Sequence, residues 1–60
     1  MKTRVKMCGE YWFISPVLEI RSAQDTRNYI DNPRYECGNY FLTRKEAEAA
    51  AKKIRAILNE

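Results

Sequence analysis

Residues 3–7, Thr-Arg-Val-Lys-Met, alternate polar and apolar with period two, the signature of a half-buried strand. Cys8-Gly9-Glu10 interrupts that alternation as a turn or bulge, since glycine accepts backbone angles that other residues avoid. Four large β-formers follow, Tyr11-Trp12-Phe13-Ile14. Ser15-Pro16 then breaks the ladder, because proline has no N–H to donate. Alternation resumes from Val17 to Ser22, with Val17, Glu19 and Arg21 on one side and Leu18, Ile20 and Ser22 on the other. The spacing predicts a hairpin with a turn near Ser15–Val17, joining strands at about 10–14 and 18–23.

Gln24 to Cys37 has no clear period. It collects Asp25, Arg27, Asn28, Asp31, Asn32 and Pro33, turn and loop formers, around Tyr29 and Tyr35, and is expected to be a loop that packs through its tyrosines. Asn32-Pro33-Arg34-Tyr35 matches the NPxY pattern of sorting tails but reads here as a turn. Gly38-Asn39 is a second turn signal before the short extended run Tyr40-Phe41-Leu42.

Thr43 opens the most regular element. Thr-Arg-Lys-Glu is a capping box, in which the Thr43 hydroxyl accepts from the Glu46 N–H and the Glu46 carboxylate reaches back to the Thr43 N–H. Ala47, Ala50, Ala51, Ile54, Ile57 and Leu58 fall on one stripe at helical spacing, while Lys45, Glu48, Lys52, Lys53 and Arg55 face elsewhere. The alanines are expected to lie close against a sheet, and the bulkier Ile and Leu to fill the wider end. The predicted architecture is a single α+β domain over residues 1–60: a three- or four-stranded antiparallel sheet with one C-terminal amphipathic helix packed on one face.

Composition changes this picture little. At 45% hydrophobic and 32% charged, the chain is that of a globular protein and not a disordered tail. Sixty residues bury only about 60% of their unfolded surface, which leaves little room for a catalytic pocket. The basic start alternates with Val5 and Met7 and leads into no apolar run, so neither a signal peptide nor a membrane span is expected. Cys8 and Cys37 then read as a reduced pair in a cytoplasmic protein, with a disulfide across the sheet as the alternative.

Candidate chemistry is sparse. Histidine is absent, which removes the usual general base and, with only two cysteines, a tetrahedral zinc site from one chain. The two glycines make no phosphate-cradling loop. No cofactor, no metal and no enzymatic activity are expected.

Two features bear on binding. Aromatic residues stand throughout the predicted sheet and loop, and alternation sends Tyr11 and Phe13 to the face opposite Trp12 and Ile14. One helix covers one face, so the other is either closed by the 24–37 loop or exposed for recognition. The net charge of +3 is unevenly distributed, with Lys2, Arg4 and Lys6 on the first strand and Lys52, Lys53 and Arg55 late in the helix. These bases are either a solvated strand face with dipole-matching helix charges or a phosphate-contacting set.

Tyr-Trp-Phe-Ile at 11–14, Arg34-Tyr35, Gly38-Asn39-Tyr40-Phe41, Thr43 and Glu46-Ala47-Glu48 together resemble a signature of small phage and prophage accessory proteins. In these an aromatic run begins a hairpin and a Gly-Asn-aromatic-Phe-x-Thr-x-x-Glu-Ala-Glu stretch opens a terminal helix. This chain departs from the pattern in placing Pro16 where a Gly- or Asp-containing turn is usual. What the resemblance implies is a mobile-element protein in a bacterial cytoplasm that binds and modulates a host protein, inhibitors of host defence such as anti-CRISPR proteins included. The contact surface expected on that reading is the sheet face away from the helix with the loop: Tyr11, Phe13, Tyr29, Arg34 and Tyr35. The alternative is a small nucleic-acid-binding module using Lys2, Arg4, Lys6, Lys52, Lys53 and Arg55. A homodimer paired through an edge strand is a third arrangement.

Overall fold

The computed structural model describes residues 3–59. The element order is β1 (Glu10–Ile14), β2 (Ile20–Gln24), α1 (Asp31–Cys37) and α2 (Arg44–Leu58). The fold is α+β, as the hydrophobic pattern requires, but the sheet has two strands and a second helix replaces the expected loop.

β1 and β2 form the predicted hairpin, paired antiparallel with Tyr11 opposite Ala23, Trp12 opposite Ser22 and Phe13 opposite Arg21. The turn is closed by Ser15, whose N–H donates to Glu19 O (2.8 Å) and whose carbonyl accepts from the Leu18 N–H (2.9 Å). The Ser15 hydroxyl also accepts from Val17 N and Glu19 N. Pro16 takes the position where its fixed φ suits a turn, and Leu18 closes the loop at φ 63°. That left-handed position normally takes glycine. Leu18→Ala and Leu18→Gly remove the same half-buried side chain, but only glycine relieves the backbone. Glycine is therefore expected to be the more stable of the two by about 1 kcal/mol, the reverse of the usual strand ranking, checked by urea unfolding.

A third strand survives in reduced form. Trp12 exchanges both backbone bonds with Phe41 at 2.8 Å, a single bridge. One step along, the Asn39 side-chain amide substitutes for a strand: Oδ1 accepts from Ile14 N and Nδ2 donates to Ile14 O, each at 2.8 Å. The expected strand at 3–7 does not form. Its alternation is broken because Arg4 turns inward to a buried carboxylate, and the segment is held by side chains instead of a ladder. Val5 N donates to the Tyr40 hydroxyl (3.1 Å), and Arg27 Nη2 donates to Val5 O (2.8 Å). Gly9 then rejoins β1 where a Cβ would stand 2.9 Å from Lys6 O, so the close approach requires glycine.

α1 is built from the residues that read as loop formers. Asn28 Oδ1 accepts from Ile30 N (2.9 Å) and Asp31 N (2.8 Å), satisfying amides ahead of the first turn. Pro33 sits in that first turn, where its missing N–H costs nothing. Gly38 at φ 91° terminates the helix and donates to Tyr35 O.

α2 begins as expected, with Glu46 N donating to Thr43 Oγ1 at 3.2 Å. Among the described residues the reciprocal Glu46-to-Thr43 bond is not made. The alanine end of its stripe closes on the hairpin, leaving Ala47 and Ala51 buried. The Ile and Leu end does not fill a wider gap as predicted: Ile54, Ile57 and Leu58 are 38%, 65% and 70% exposed. A fifteen-residue helix rises about 22 Å, more than the roughly 17 Å that a five-residue strand spans, and its buried residues are confined to the first half.

Candidate functional site

Three kinds of surface compete for a functional role, and burial separates them. The first is polar and internal. Asp25 has 0% of its surface exposed, and among the described residues its carboxylate receives five hydrogen bonds. Arg4 holds both its oxygens, with Nε at 2.7 Å and Nη2 at 3.1 Å. Arg27 adds its backbone N–H (3.1 Å) and Nη1 (2.5 Å), and Tyr40 donates its hydroxyl (2.7 Å). Arg4 Nη2 also donates to Asn32 Oδ1 at 2.6 Å, which ties the N-terminal segment to α1. The Arg4 hydrogen bonds hold the Asp25 carboxyl well below the usual carboxylate range against the opposing pull of burial, and Tyr40 assists. Burial and the donated bond to Asp25 push the Tyr40 hydroxyl up.

A second buried carboxylate, Asp31, accepts from the Tyr11 hydroxyl (2.6 Å) and from Thr26 N and Oγ1 (2.9 and 3.2 Å). Burial pushes its pKa up, but these three bonds outweigh it and the net shift is downward. Arg34 donates to the Tyr11 hydroxyl at 2.9 Å and lies 3.7 Å over the Phe13 ring. Tyr11 and Tyr40 stack with centroids 4.3 Å apart, and Tyr35 meets Tyr40 edge-on at 5.2 Å. Among the described residues no buried side-chain nitrogen or oxygen lacks a partner. The buried donors and acceptors of the network thus find their partners within the fold.

The second surface is the sheet face expected to bind a protein. The 24–37 segment closes it. Tyr11 is 0% exposed, which removes it from any contact surface, while Phe13 and Tyr35 are half-buried beneath Arg34 and Arg4. Of the five residues, Tyr29 alone stands free, at 84% exposure.

The basic set is likewise divided. Arg4 is engaged by Asp25 and Asn32, Lys2 lies outside the described residues, and Lys6 is exposed. Lys52, Lys53 and Arg55 are exposed on α2. Arg4 and Lys6 do not share the expected period-two face, because residues 3–7 do not form a strand.

The third surface went unpredicted. An open groove of about 410 Å³ runs between the hairpin turn (Pro16, Leu18) and the 37–41 stretch (Gly38, Phe41), with Ile54 of α2 at its edge. Ile54 belongs both to this groove and to the α2 stripe, whose next members Ile57 and Leu58 are exposed beyond it. Val17, 70% exposed, extends the apolar surface at the turn. The sequence carried one signal for it: the stripe is longer than a short hairpin can cover.

Cys8 and Cys37 are both free and exposed. Among the described residues no group of three or more Cys, Asp or Glu side chains could hold a metal ion, and no helix is long and apolar enough to cross a membrane. No family model, curated protein or solved structure matches the chain.

Proposed function

We propose that the chain is a small non-enzymatic protein-binding module of a phage or mobile element, which engages a host protein through the apolar surface shared by the hairpin turn and the last turns of α2. The observation that carries this reading is Ile54, Ile57 and Leu58, three large side chains at consecutive positions of one stripe whose other half is core. Exposing them is unfavourable by about 25 cal/mol per Å² of apolar area, a penalty that a partner's docking removes. Leu18 adds to the case: a strained left-handed residue keeps an apolar side chain at the groove where glycine would be the relaxed choice. The phage assignment draws on the resemblance carried by Tyr11–Ile14 and the Arg34–Glu48 stretch alone.

The expected outcome is specific. A tagged chain expressed in a bacterial host recovers a protein that the Ile57→Ser/Leu58→Ser variant, equally folded by circular dichroism, does not. Equal recovery by both forms contradicts the surface assigned here. The nucleic-acid alternative would instead show oligonucleotide binding at low ionic strength that collapses toward physiological salt.

A further inference from the structure

The exposed end of α2 carries a charge pattern that selects among occupants. Successive helical residues are about 100° apart, so Arg55 and Lys53 fall about 100° to either side of Ile54. The exposed part of the stripe is thus bracketed by a base on each flank. Two turns earlier, the same flanks carry Glu46 and Glu48 beside buried Ala47, with Glu48 paired to Arg44 at 2.9 Å, and between them buried Ala51 has Ala50 and Lys52 at its sides. Lys53 and Arg55 therefore stand on the two flanks of the exposed stripe with no carboxylate of 44–58 beside Ile54. A second copy docking antiparallel on the same stripe would set Lys53 against Lys53 and Arg55 against Arg55, a like-charge arrangement on both rims. Carboxylates at those places are attracted.

We infer that this surface docks an acidic amphipathic helix of a partner protein, an occupant that presupposes the docking surface proposed above. The partner's apolar residues, spaced i, i+3/i+4, i+7, lie on Ile54, Ile57 and Leu58 and reach into the groove beside Leu18. Its flanking Asp or Glu side chains meet Lys53 on one rim and Arg55 on the other. The apolar stripe supplies affinity, and the rims supply register and selection against basic helices.

The test uses the full chain and two synthetic amphipathic peptides with the same leucine stripe, one flanked by glutamates and one by lysines. The glutamate peptide is expected to bind at least about tenfold tighter. Its amide shift changes should centre on Ile54, Ile57 and Leu58, and Lys53→Glu/Arg55→Glu should reverse the peptide order. Equal binding of both peptides, binding by neither, or shifts centred elsewhere overturns the inference. So does a concentration-dependent dimer that Ile57→Ser abolishes. If neither peptide binds while the wild-type chain still recovers a protein that Ile57→Ser/Leu58→Ser loses, the acidic helix falls and the docking surface remains. If that recovery fails too, both fall.

Discussion

Asp25→Ala is expected to remove about 3 kcal/mol, a large share of the chain's stability at 25 °C. Breaking a buried ion pair by removing one partner costs about 3–5 kcal/mol, because the remaining charges lose their counter-ion. Arg4 and Arg27 retain 23% and 32% side-chain exposure, so water softens the loss and the lower end of that range applies. Domains have about 0.05–0.15 kcal/mol of stability per residue, so a chain of 60 residues holds a margin of only a few kcal/mol to begin with. The same carboxylate accepts from Tyr40, and its loss also frees the 3–9 segment from Arg4. Urea unfolding followed by circular dichroism measures the effect, and a loss under about 1 kcal/mol would contradict it.

The pH dependence follows with a definite sign. Asp25 titrates below its ordinary value of 3.8 in the folded chain, so the stability it contributes is complete above that value. It is lost as pH falls from there through the lower folded-state pKa. Asp31 shifts in the same direction. Stability should be flat from about pH 5 upward, with an acid limb beginning near pH 4. Asp25→Asn should flatten that limb while lowering the plateau.

Asn39→Ala is expected to cost about 2–3 kcal/mol, more than a loop position ordinarily would. Among the described residues its amide is the only partner of the Ile14 N–H and carbonyl on that edge of β1, and each buried backbone group left unpaired costs about 1–3 kcal/mol. Water reaching the edge reduces the sum. Asn39→Asp discriminates the cause. The carboxylate still accepts from Ile14 N but repels Ile14 O, so aspartate should be no better than alanine if both bonds matter. Near-native stability for aspartate would assign the effect to the acceptor alone.

What the sequence conveyed depended on the range of the interaction. The β1–β2 hairpin was legible because Tyr11–Ile14, Pro16 and the 17–22 alternation act on neighbours, and the Thr43 helix start for the same reason. The hydrogen bond from Arg4 to Asp25 joins residues 21 apart, and no local pattern announces it. That one pair turns the basic period-two segment from a strand into a strap. α1 was missed differently: Asn28, Pro33 and Gly38 each favour loops when taken singly. Their order, a capping side chain, a first-turn proline and a terminal glycine, spells a helix. The docking surface was hidden because periodicity shows which face of α2 is apolar, but not that two five-residue strands end before it does.

Whether the end of α2 serves the fold or a partner is decided most directly by the stability of Ile57→Ser/Leu58→Ser. Exposed side chains that pack on nothing contribute little, so unfolding free energy should stay within about 0.5 kcal/mol of the parent. A loss of about 2–5 kcal/mol, the range for truncated core residues, would show these side chains packed within the chain and would remove the surface on which the proposed function depends.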